Sequence, residues 1–95
     1  MTDYWLALDQ GGHAGRAIAF DRHGRVLARA TREVATATPA PGHYEQDAEA
    51  VVASLEEPLA EVVAELGAAN CRGAGLATQR SSIACWDRHT GAALG

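Results

Sequence analysis

The stretch Leu6-Ala7-Leu8-Asp9-Gln10-Gly11-Gly12-His13-Ala14-Gly15-Arg16-Ala17-Ile18-Ala19-Phe20 decides the fold. Tyr4 to Asp9 and Arg16 to Asp21 read as two short apolar strands, and the residues between them as a glycine turn. The first strand therefore ends on a carboxylate, Asp9, at the mouth of that turn. Glycines can take positive φ and bring several N–H groups to bear on one anion, so Gly11 and Gly12 are expected to form a backbone cradle. Asp9 beside it suits a magnesium ion, held directly or through water, because hard divalent cations prefer oxygen ligands. The GxxxxGK[ST] spacing of a helix-terminal phosphate loop is absent.

Outward from this hairpin, His23-Gly24 signals a second turn, and Val26 to Val34 reads as a third, edge-like strand with mixed faces. Three strands with short connections imply an antiparallel meander. Thr36 to Gly42 carries two prolines and reads as a loop. Asp47 then suits a helix N-cap. Ala48, Val51, Val52, Leu55, Leu59, Val62, Val63 and Leu66 recur at helical spacing, with Glu49, Glu56, Glu57, Glu61 and Glu65 largely off that stripe as a solvated face. Pro58 predicts a kink near Ser54 to Glu57 or two helices in sequence, and Gly67 a stop. Arg72 to Thr78 reads as a strand of small residues, approached closely by another element or a ligand. The helical crossover predicts that it pairs parallel to an earlier strand. Ser82 to Asp87 reads as a further strand and Thr90-Gly91 as a hairpin turn. Tyr44 is expected to staple the helix start, Trp5 to pack on the sheet, and Trp86 to anchor a core or interface.

The 95 residues amount to one small domain with a modest core. His89 to Gly95 reads as a turn and a strand just starting, so a longer protein is expected. Eight arginines, no lysine and twelve acidic residues give a net charge of −4, which argues against non-specific nucleic-acid binding. Neither a basic amphipathic stretch, nor a signal peptide, nor a spanning run is apparent; no membrane association and a cytoplasmic location are expected. Cys71 and Cys85 lack the spacing of a zinc site and read as reduced thiols near strands.

Three segments together resemble the FGGY carbohydrate kinases, with the glycerol kinases the closest likeness. Asp9-Gln10-Gly11 with Arg16, Phe20-Asp21 and Gly24 is similar to that family's first phosphate-binding segment. Pro41-Gly42-His43-Tyr44-Glu45-Gln46-Asp47 looks like its P-G-x-x-E-x-D segment. Ala77-Thr78-Gln79-Arg80, followed by Trp86-Asp87 and Thr90-Gly91, looks like its N-Q-R loop and hairpin, with Thr78 in place of the Asn. The resemblance spans the chain.

It implies an α/β, ribonuclease H-like fold shared with actin-like ATPases: a mixed sheet with a three-strand antiparallel meander, then a helix and further strands. Residues 1–95 would be the N-terminal part of the first kinase domain, with the second domain absent. ATP and Mg²⁺ would lie in the cleft between domains, and a polyol or sugar hydroxyl would accept the phosphoryl group. On this resemblance Asp9 positions metal and phosphates, Gly11 and Gly12 cradle them, and Arg16 neutralises charge. Arg80 holds acceptor hydroxyls while Gln79 braces its loop. Such a toolkit suits a reaction governed by positioning and charge.

Two departures stand out. Gly12, His13 and Ala14 replace hydroxyl residues of glycerol kinases, leaving His13 either a phosphate donor or a solvent-facing residue. Ser81 replaces an acid that binds acceptor hydroxyls, and serine is the weaker partner. The resemblance puts the catalytic base and the adenosine site downstream, so the fragment alone is expected to be inactive; Asp21 and Asp87 read as turn residues. The alternative is a kinase-like protein that binds nucleotide or sugar without turnover. Bare cleft surface would also favour weak self-association into a homo-oligomer.

Overall fold

The computed structural model describes residues 2–80 and 82–94. Strands β1 (Tyr4–Gln10), β2 (Ala14–Phe20) and β3 (Val26–Glu33) are followed by helix α1 (Ala48–Leu66), a short 3-10 turn (Ala68–Asn70) and strand β4 (Cys71–Thr78). They form one sheet in the order β3-β2-β1-β4. β1 and β2 pair antiparallel, as do β2 and β3, which is the expected meander. β4 pairs parallel to β1, from Tyr4 opposite Cys71 to Gln10 opposite Thr78. The connection from β3 to β4 runs through α1, which packs on β3 and β2 and less on β1.

Strand alternation sorts the side chains. Tyr4, Leu6, Ala17, Ala19, Ala28 and Ala30 point toward α1 and meet buried Val62 to make the core. Small alanines on β2 and β3 let the helix lie close, and Gly15 lets it closer still. A Cβ on Gly15 would stand 2.6 Å from the Ser54 carbonyl carbon and 2.8 Å from its hydroxyl, and would overlap the Ser54 carbonyl oxygen.

This contact explains how α1 accommodates its proline. Pro58 has no N–H to give the Ser54 carbonyl. It does not divide the element: a single helix runs from Ala48 to Leu66, which rules out two helices in sequence, one of the two outcomes Pro58 predicted. Pro58 and Ser54 are buried against the sheet, where Gly15 leaves room for the carbonyl. The Ser54 hydroxyl donates to the Val51 carbonyl at 2.7 Å and approaches Oε1 of buried Gln10 at 3.2 Å. The buried face of α1 is thus Ser54, Pro58 and Val62, flanked by half-buried leucines and valines. Val52, expected in the apolar stripe, is 54% exposed.

The helix ends are as anticipated. The Asp47 side chain accepts from the Glu49 N–H. At Gly67 a φ of 87° turns the chain out, with its N–H on the Val63 carbonyl. Fully buried Tyr4 donates its hydroxyl to the Gly67 carbonyl at 2.9 Å, pinning the helix end to the sheet. Burial, with a smaller contribution from the Cys71 thiol, raises the Tyr4 pKa above its ordinary value. Tyr4→Phe should cost about 0.5–1.5 kcal/mol near pH 8. Because the folded pKa is raised, the unfolded chain ionises first as pH climbs past about 10. The tyrosine's advantage should then shrink. Urea melts of both proteins at pH 8 and pH 10.5 check this; a gap that stays constant would count against it.

Several expectations need correction. Ser82 to Asp87 forms no strand. The segment is mostly exposed, Ile83 is 95% so, and among the described residues its pairing is limited to a single antiparallel bridge from Trp86 to Ala93. A short apolar run becomes a strand only where a neighbouring strand completes a ladder, and this one has none among the described residues. Beyond them, the Asp87 carboxylate caps the hairpin by accepting from the His89 and Thr90 N–H groups. Trp86 and Tyr44 are exposed, so among the described residues the first anchors no core and the second is not packed as a staple. Trp5 lies over Gly73 of β4 on the face opposite α1 and stays partly exposed. Cys85, free like Cys71, is exposed and off the sheet.

Candidate functional site

β1 and β4 are parallel, so their carboxyl ends lie side by side. In open α/β sheets ligands tend to bind there. The turn after β1, residues 11–13, and the segment after β4, beginning at Gln79, both emerge at this end.

The turn is built differently from the expected cradle. Neither Gly11 nor Gly12 takes a left-handed φ; among the described glycines only Gly24, Gly42, Gly67 and Gly91 do. The Gly11 N–H donates to the Ala14 carbonyl at 2.9 Å, closing the hairpin. A Cβ on Gly11 would press on that carbonyl at 3.3 Å, so glycine serves close approach here. His13 is exposed, and its backbone carbonyl accepts from the Val34 N–H, tying the turn to the end of β3.

Asp9 and Arg16 are register partners on the face away from α1. Their side chains form an ion pair at 3.2 Å, each about half exposed (47% and 51%). Such a pair contributes about 0.2–1 kcal/mol, so its place in the fold is easily given up to a ligand.

Gln79 reaches the other side of the turn. Its Nε2 donates to Oε1 of Gln46 at 3.2 Å. Gln46 Nε2 donates in turn to the Gly12 carbonyl at 2.7 Å and stands 3.2 Å from the Thr36 hydroxyl. Gly12, His13, Gln46 and Gln79 line a cavity of about 770 Å³, together with Thr36, Tyr44, Val51 and Ile83. Gln79 is thus tied to Gln46, a residue that the motif reading left unassigned. Gln46 stands 33 and 34 positions from Gln79 and Gly12. Its place within the Pro41–Asp47 motif was the only sequence signal.

The expected site residues thus divide. Gly12, His13 and Gln79 share the cavity; Asp9 and Arg16 lie on the opposite face; Gly11 joins the two. Arg80 is exposed at the bend after Gln79 and does not line the cavity. Ser81 lies outside the described residues. Among the described residues no group of three or more His, Cys, Asp or Glu side chains is placed to hold a metal. The single Asp9 carboxylate is compatible with Mg²⁺, which commonly takes one or two carboxylates and completes its shell with phosphate and water oxygens.

Asp21 and Asp87 are occupied by turns. The Asp21 carboxylate accepts from the His23 and Arg25 N–H groups. Backbone hydrogen bonds hold both carboxyls below the usual range, Arg25 leading at Asp21 and Thr90 at Asp87. No helix among the described residues is long and apolar enough to cross a membrane.

A sequence profile of the FGGY family of carbohydrate kinases, N-terminal domain, matches residues 4–95. The chain belongs to this family. A glycerol kinase of Nocardia farcinica is 43% identical over 93 residues, covering 96% of this chain and 19% of that protein. Crystal structures give the same fold. Plasmodium falciparum glycerol kinase with ADP superposes with a TM-score of 0.82 at 21% identity, over 99% of this chain and 19% of its own. A gluconate kinase of Lactobacillus acidophilus gives 0.85 at 15% identity, over 100% and 19%. The FGGY chain described here thus spans about a fifth of the length of the relatives it matches.

Proposed function

We propose that the intact FGGY protein transfers the γ-phosphoryl group of ATP to a hydroxyl of a polyol or sugar, in the manner of a glycerol kinase. One observation carries the reading: the Asp9 turn and the Gln79-Arg80 loop lie together at the carboxyl ends of two parallel strands. Bound ATP and Mg²⁺ would supply the phosphoryl group and screen its charge. The Asp9 carboxylate would orient the cation, directly or through water, releasing Arg16 toward phosphate oxygens. Gly11, Gly12 and His13 would border the phosphates. Arg80 would donate to acceptor hydroxyls, with Ser81 beside it and Gln79 holding the loop. These are positioning and charge roles, the larger part of phosphoryl-transfer catalysis.

The test is ADP release and product mass with the intact protein, ATP, Mg²⁺ and a panel of polyols and sugars. Turnover with at least one acceptor is expected. Binding of nucleotide or sugar without turnover would support the alternative of a non-catalytic module, the reading favoured by Gly12, His13 and Ala14 where glycerol kinases carry hydroxyls. The 95-residue chain alone should phosphorylate nothing, since no residue in it is assigned as the base.

A further inference from the structure

We infer that Gln46 is a positioning residue that fastens the phosphate turn to the acceptor loop. The inference rests on the kinase reading and gives it a part not yet assigned. The ladder between β1 and β4 ends at Gln10 opposite Thr78. Beyond that pair the turn and the loop leave the sheet on separate segments, and no strand bond sets their distance. Gln46 spans this gap from the loop just before α1. Its Nε2 meets the Gly12 carbonyl at 2.7 Å and the Thr36 hydroxyl at 3.2 Å, and its Oε1 accepts from Gln79 at 3.2 Å. Two amide hydrogens and the carbonyl oxygen are all engaged. The amide cannot turn over without setting its oxygen against the Gly12 carbonyl. One side chain therefore fixes the turn that would border the phosphates relative to the loop that would hold the acceptor. In-line transfer requires the two reactants at near-attack distance, and small misplacements there cost rate.

Gln46→Met decides the matter, because methionine keeps the bulk and removes every hydrogen bond. In the intact protein, kcat for its best acceptor should fall about 10- to 100-fold, with KM for ATP and acceptor within about threefold and the melting temperature nearly unchanged. Gln79→Met should do the same, and the double variant should be no slower than the slower single, since both break one link. Hydrogen exchange at residues 11–13 and 78–80 should quicken severalfold in Gln46→Met. Wild-type kcat with unchanged exchange would overturn the inference. So would a loss confined to KM, which would make Gln46 a binding residue only. A wild-type protein inactive on every acceptor would instead bring down the kinase reading. Exchange would still report whether Gln46 joins the two loops, and unchanged exchange would end the inference on its own.

Discussion

Gly15→Ala should lower the melting temperature of the domain by on the order of 10–20 °C. The added methyl would fall on the Ser54 carbonyl, with its carbon 2.6 Å away. That obstacle is backbone inside a helix and cannot rotate aside. Relief requires α1 to lift from β2, loosening the buried cluster to which Val62, Ala17 and Ala19 belong. Overpacking of this kind costs about 1–3 kcal/mol and sometimes more, a large share of what a small domain has. Gly75 is the internal control: nothing lies within 4 Å of its Cβ position, so Gly75→Ala should be nearly neutral. Thermal unfolding followed by circular dichroism measures both. A Gly15→Ala protein that melts within about two degrees of wild type would disprove the close seating of α1 on β2.

Asp9→Asn should reduce phosphoryl transfer by the intact protein about 10²- to 10³-fold, the usual scale for loss of one preorganised electrostatic group. Asparagine keeps the shape, and the half-exposed ion pair with Arg16 contributes little to folding. The melting temperature should therefore stay close to wild type while kcat collapses. If Asp9 orients the cation, raising Mg²⁺ should recover part of the loss. The comparison of kcat against Mg²⁺ concentration for the two proteins checks this. Near wild-type turnover at ordinary Mg²⁺ would remove Asp9 from the site.

The meander and the crossover were legible because their determinants are local. The His23-Gly24 turn, the period of Val51 to Leu66 and the small residues of Arg72 to Thr78 each act within a few positions. The burial of Ser54 was not legible, since a serine enters a core only where a glycine 39 positions earlier on another element makes room. Val52 was misplaced for the converse reason: apolar character predicts burial only when a covering surface exists. In the candidate site, Asp9 and the Gln79-Arg80 pair were nominated through their motifs. The pairing of Asp9 with Arg16 follows only from the strand register, and the Gln46 bridge only from three segments meeting at one end of the sheet.

Among the described residues β4 forms a rim of the sheet with one side unpaired, and α1 packs chiefly on β3 and β2. An open rim offers a template on which other polypeptides can stack and precipitate. Gly73, Ala74, Gly75 and Ala77 make it a poor one, because glycine and alanine rank low among strand formers and give an incoming chain little to grip. The economy of side chains along this strand thus doubles as protection against clumping.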